Sequence, residues 1–234
     1  MIEMVNSYNR AATRLDAAMK AARKEHMEIV KKFEAAKRDM LATERYPDWD
    51  FSARAKKEAA KAAFLAEKSG IRGRVEKVWE TFDSTVRRVR EELVAELDKI
   101  DIRRAAGVDA AAVTLLNSGT MRGKDFQQMA TDFSENPAML GLVRQAAQKA
   151  IEGLGEEQYQ ERHELLAVIE NARTDAEKLI ASFDNLNSIA KQFSGRRENG
   201  DWNSSDGYLS SNSLEFWEEA TAGLVSTESK ESEE

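Results

Sequence analysis

The sequence is poor in the residues that usually announce chemistry: among 234 residues it has no cysteine, two histidines and two prolines, and 7% are aromatic. Without cysteine there is no disulfide, thiolate ligand or cysteine nucleophile, and the composition fits a reducing compartment. His26 and His163 fall within helix-like stretches and cannot supply the roughly four ligands of a zinc site. No apolar run approaches the roughly 20 residues of a membrane-spanning helix. The opening residues, Met1 to Asn6, lack a basic segment followed by an apolar one, so no secretory signal is expected. The expectation is a soluble intracellular protein with no membrane partner. Scarce aromatics and an apolar quota rich in alanine argue against one thick core and for thin seams between helices.

What is present is charge and periodicity. Charged residues make up 33% of the chain, whose net charge is −7. They are unevenly spread: residues 1–100 carry +4, 101–150 carry +1, 151–200 carry −4 and 201–234 carry −8. Val5, Tyr8, Ala12, Leu15, Met19, Ala22, His26, Ile29 and Phe33 follow a 3,4 spacing. That spacing keeps one narrow stripe in register over several heptads, as in a coiled coil. The stripe stops at Tyr46-Pro47-Asp48-Trp49-Asp50-Phe51-Ser52, where proline disfavours helix and Asp50 or Ser52 can cap the next one. A second stripe, Val75, Trp79, Phe82, Val86, Val89 and Leu93, follows Gly70 and Gly73, a candidate joint.

Beyond Gly107 the pattern shortens. Asp109, Thr120 and Asn136-Pro137 are start signals for three short helices near 109–118, 120–133 and 137–151, with Gly119 ending the first. Leu115, Leu116, Phe126, Met129, Phe133 and Met139 are their expected core. A third heptad run leads from Leu165 to Phe193. The reading is therefore all-α: a long helical hairpin or coiled coil over 1–105, a small three-helix module over 106–152, a third long helix over 153–195, and a disordered acidic tail over 196–234. Within the tail, a short helix-capable island at 213–221 offers Leu214, Phe216 and Trp217 as anchors for a partner, or folds back on the body.

The search for chemistry returns little. No Gly-x-Ser-x-Gly elbow is present, and Glu91-Glu92 and Glu156-Glu157 are neighbours whose side chains diverge on a helix. Gly153-Leu154-Gly155 precedes a helix, but the glutamates that follow would repel phosphate. Residues 201–212 imitate a calcium loop with glycine and the twelfth residue misplaced. No cofactor, metal or catalytic residue is expected. Arg54, Lys56, Lys57 and Lys61 open a basic stripe that could meet phosphates, yet it lacks interleaved aromatics, with Phe64 almost alone. A solvated helix face is the ordinary reading of such a stripe.

Leu115-Leu116-Asn117-Ser118-Gly119-Thr120-Met121, followed by Phe126, Met129, Phe133 and Asn136-Pro137-Ala138-Met139-Leu140, resembles a motif in uncharacterised tailed-phage proteins encoded among head-assembly genes. The resemblance covers residues 104–148. It implies a non-enzymatic structural or assembly role, scaffolding-like or as a minor head protein, in the host cytoplasm during assembly or in the virion. A capsid or other head component would be the partner. On that reading Val75, Trp79, Phe82, Val86, Val89, Leu93, Ile29 and Phe33 join copies into a homo-oligomer. Familiar phage scaffolding proteins often end in a basic coat-binding helix, whereas this chain ends in an acidic tail. The alternative is a monomeric helical adaptor or inhibitor whose helices satisfy one another internally.

Overall fold

The computed structural model describes residues 2–105, 107–155, 157–196, 202, 207–209 and 217. Among them are seven α-helices: α1 (Ile2–Thr43), α2 (Phe51–Arg104), α3 (Ala110–Asn117), α4 (Gly123–Asp132), α5 (Pro137–Glu152), α6 (Tyr159–Asn171) and α7 (Asp175–Phe193). A single 3-10 turn follows at Gly207–Leu209, and one antiparallel bridge joins Arg196 to Trp202. No helix among the described residues is long and apolar enough to cross a membrane. The expected tail, with its helix at 213–221, falls almost wholly outside the described residues.

The helix ends obey local rules. Asp50 accepts from the backbone N–H groups of Ser52 (2.9 Å) and Ala53 (3.3 Å), capping α2. Asp109 accepts from Ala111 and Ala112, and Asn136 from Met139 with Pro137 in the first turn. Gly119 sits at φ 69° just after α3, in the left-handed region where a side chain is disfavoured. α2 runs uninterrupted through Gly70 and Gly73, so the expected joint is absent. The fourth helix starts at Gly123 rather than at Thr120, because the Asp125 carboxylate accepts from the Arg122 backbone N–H (2.9 Å). Thr120 instead shares a hydrogen bond with the Ser118 hydroxyl (2.7 Å).

The third long helix expected over 153–195 is two helices. Thr174 Oγ1 accepts from the Glu177 backbone N–H (3.1 Å), and Glu177 Oε2 accepts from the Thr174 backbone N–H (2.9 Å). This reciprocal capping box starts α7 afresh, and α6 ends at Asn171. The four-residue signal Thr174-Asp175-Ala176-Glu177 was legible beneath the heptad pattern.

The chain forms two compact units, residues 1–8 with 91–183 and residues 9–90 with 184–234. These bounds differ from the four sequence segments because α1, α2 and α7 each contribute residues to both units. In the first, α4, α5 and α6 pack on one another and α3 packs on α5. Leu165 and Val168 of α6, with Ala172 just after its end, join Ala112, Leu116, Phe126, Met139, Leu140 and Val143 in one core, so the expected three-helix module has four helices. Met129 and Phe133 lie half-buried against that core. Leu115, expected inside, is 53% exposed. It stands one residue, about 100° of helix turn, from the Ala112–Leu116 face that points inward. Ion pairs Arg104–Asp175 (3.1 Å) and Arg144–Glu177 (2.7 Å) fix the start of α7 in this unit.

In the second unit α1 and α2 form a hairpin through the Glu44–Asp50 turn. Phe33 and Phe64 stack at 5.6 Å, and Trp79 meets His26 edge-on at 6.0 Å. After α7, Gly195 at φ 76° turns the chain, and Arg196 bonds Asp83 at 2.6 Å. Val75, Trp79, Phe82, Val86, Val89 and Leu93 are all buried within the single chain, as is Phe33, while Ile29 is half-buried. The seam expected to join copies is thus closed within one chain. Val5, placed on the α1 stripe by spacing, is 37% exposed and Met4 takes the inner position.

Phe82→Ala should destabilise the protein by about 3–5 kcal/mol and Leu116→Ala by about 2–5, whereas Leu115→Ala should cost no more than about 0.5. Urea unfolding followed by circular dichroism measures all three.

Candidate functional site

Residues between Leu116 and Phe126, together with residues of α5 and α6, line a cleft of about 720 Å³ in the four-helix unit. Its apolar lining includes Leu116 at the end of α3, Phe126 of α4 and Leu165 of α6, each buried. Asn117 at the end of α3, Thr120 and Arg122 from the α3–α4 connection, and Lys149 of α5 give it an exposed polar edge, and Glu161 of α6 adds a carboxylate. Gly119 lets the chain leave α3 and turn along this edge. An apolar floor with a few polar groups suits binding. The beginning of α4 is no anion site, because Asp125 already accepts there and Glu164 lies against Gly123. Among the described residues no group of three or more His, Cys, Asp or Glu could hold a metal ion.

A second cluster lies in the other unit, around His26. Nε2–H of its ring donates to the Tyr208 carbonyl oxygen at 2.6 Å, while Trp79 Nε1–H donates to Nδ1 at 3.4 Å. One ring nitrogen donates and the other accepts, which is the neutral imidazole. Burial depresses the His26 pKa below its ordinary value, the Tyr208 carbonyl opposes the shift and the nearby Arg23 charge reinforces it. Trp202 adds a tilted ring contact at 6.0 Å, and the Arg196 guanidinium sits 5.9 Å from the Trp79 ring centre. The cluster is a latch for the residues that follow α7.

Trp217 belongs to the same attachment. It is fully buried, donates Nε1–H to Asp16 Oδ1 at 2.8 Å and meets Phe193 edge-on at 6.1 Å. Its expected role as a free partner anchor is therefore corrected: the ring is used by its own chain. Leu214 and Phe216 lie outside the described residues. Of the basic stripe, Arg54 pairs with Glu58 at 3.3 Å and Lys57 with Asp48 at 3.1 Å, while Lys56 and Lys61 stay exposed.

Residue-pattern reasoning treated Tyr46–Ser52 only as a turn and passed over Trp49 and Phe51, which are 87% and 88% exposed. The available signal was Trp49 and Phe51 close behind Tyr46, in a short stretch whose other residues are proline, aspartate and serine. Compared with known proteins, the chain matches no family model, no curated protein and no solved structure.

The depressed His26 pKa sets the sign of a pH effect. The unfolded chain binds a proton at His26 more readily than the folded one, so this contribution to stability is complete above the unfolded value and declines as pH falls below it. Between about pH 7.5 and 5 the wild-type melting temperature should fall more than that of His26→Gln, which cannot titrate there. Equal slopes in thermal scans of the two proteins would show that His26 carries no such linkage.

Proposed function

We propose that the protein is a non-enzymatic helical binding protein, an adaptor that engages a protein partner during assembly of a tailed-phage head. The observation that carries this reading is the burial of Val75, Trp79, Phe82, Val86 and Val89 inside one chain. A scaffold that joins copies through those residues would need them at its surface. With the seam internally satisfied, apolar surface for a partner has to come from elsewhere. The cleft beside Asn117–Arg122 is the best-formed candidate, with an apolar floor for an inserted side chain and a polar edge to orient it. The phage-head setting is supported by the Leu115–Leu140 resemblance, whose first half lines that cleft. The partner is then a capsid or other head component, and the protein is found in the host cytoplasm or in the virion.

Light scattering coupled to small-angle X-ray scattering tests the reading. A monomer near the chain mass of 26.3 kDa is expected. Phe82→Asp with Val89→Asp should abolish the helical circular-dichroism signal by unfolding a monomer. An oligomer that this double variant splits into folded single chains would restore the self-associating scaffold. Co-expression with tailed-phage major capsid protein should yield a complex that Ala146→Trp, which fills the cleft, prevents without changing mass or helix content.

A further inference from the structure

Two rings for which the fold has no use stand where the turn from α1 meets α2, Trp49 in the turn and Phe51 as the first residue of α2, with Tyr46, 41% exposed, just before them. Trp49 and Phe51 are 87% and 88% exposed, and neither stacks on another aromatic among the described residues. The turn itself is well tied. Tyr46 N–H donates to the Thr43 carbonyl at 3.0 Å, Lys57 pairs with Asp48 and Asp50 caps α2. The two aspartates that flank Trp49 are thereby occupied: one faces a lysine, the other the positive end of a helix. What the turn leaves open is the faces of two rings, held two residues apart.

Residues 44–52 themselves hold Glu44, Asp48 and Asp50 against Arg45, and the positive charge lies in the helices on either side. Arg45, Lys56 and Lys61 are exposed and form no ion pair among the described residues. Residues 31–77 hold 13 Lys/Arg against 8 Asp/Glu, a net charge of +5 in a chain of −7. Between Phe33 and Ile71 no described residue is buried, so this part of the hairpin is accessible along its length. Leu41 and Leu65, 47% and 51% exposed, bound a stretch without Leu, Ile, Val or Met. Rings beside exposed lysines match the pattern that holds single-stranded nucleic acid, bases on ring faces and phosphates on cations. Trp49 and Phe51 lie immediately before the basic stripe that begins at Arg54.

We infer that the α1–α2 turn is a single-stranded nucleic-acid contact site, with Trp49 and Phe51 as stacking faces and Arg45, Lys56 and Lys61 as phosphate contacts. This site is separate from the cleft proposed to bind protein, and either can stand without the other. The test is fluorescence anisotropy of the full chain with labelled 20-nucleotide dT and rU strands and a 20-base-pair duplex, at 50 and 200 mM salt. Both strands should bind more tightly than the duplex. Trp49→Ala with Phe51→Ala should weaken binding at least about tenfold with helix content unchanged, since stacking on one ring is typically that strong. Lys56→Glu with Lys61→Glu should weaken it too and make the slope of log affinity against log salt shallower by about 1.4. Absence of binding at 50 mM salt overturns the inference, as does a duplex held as tightly as the strands. Strand affinity untouched by removing both rings also overturns it, leaving phosphate attraction alone. Failure to bind strands together with a molecular mass that falls on removing the rings would assign the turn to a second copy of the chain.

Discussion

The second unit depends on one indole. Trp79 is fully buried, meets His26 of α1 edge-on and stacks at a steep angle on Phe82 of its own helix at 5.5 Å. It also lies beneath the Arg196 guanidinium. Trp79 is the largest of the side chains buried along α2, so a single ring fills space that several smaller side chains would otherwise share. Trp79 thus contacts both His26 of α1 and Arg196, which follows α7. Arg90 strengthens the same attachment by holding Asp184 of α7 with two bonds, at 2.6 and 2.8 Å.

That arrangement decides which surfaces are left for other molecules. Once α1 and α2 have consumed each other's apolar stripes, and Trp217 has been buried against Asp16 and Phe193, the hairpin offers no broad apolar face from those residues. The four-helix unit is built differently, with Phe126, Met139, Leu140, Val143 and Leu165 around a compact core and a cleft beside it. On the proposed reading, the cleft and the turn are two small, separate places where a partner could be met. Several weak sites can act together when they are linked on one chain.

The two histidines illustrate how identical residues acquire different meanings. His26 is enclosed by rings and a carbonyl and its pKa is lowered by burial, whereas His163 lies exposed, with Tyr159 edge-on at 6.4 Å. Spacing placed His26 on the inner stripe of α1, but the partner that fixes its tautomer, the Tyr208 carbonyl, is 182 residues away. No local pattern encodes a contact of that kind.

The sequence by itself determined the all-helical class, the α1–α2 turn, the caps at Asp50, Asp109 and Asn136, and most of the buried stripe from Val75 to Leu93, because each follows from helix periodicity or from a side chain bonding to backbone a few residues away. It also contained the Thr174–Glu177 capping box that divides the last long segment, though the continuing heptads concealed it. Only the tertiary structure decided that the stripes close within one chain, that α6 completes the small bundle, that Leu115 faces outward while Leu116 faces inward, and that Trp217 is buried. It alone showed Trp49 and Phe51 to be the most exposed aromatic rings among the described residues. The physical reason is the same in each case: periodicity says which face of a helix is apolar, but what covers that face depends on residues distant in the chain.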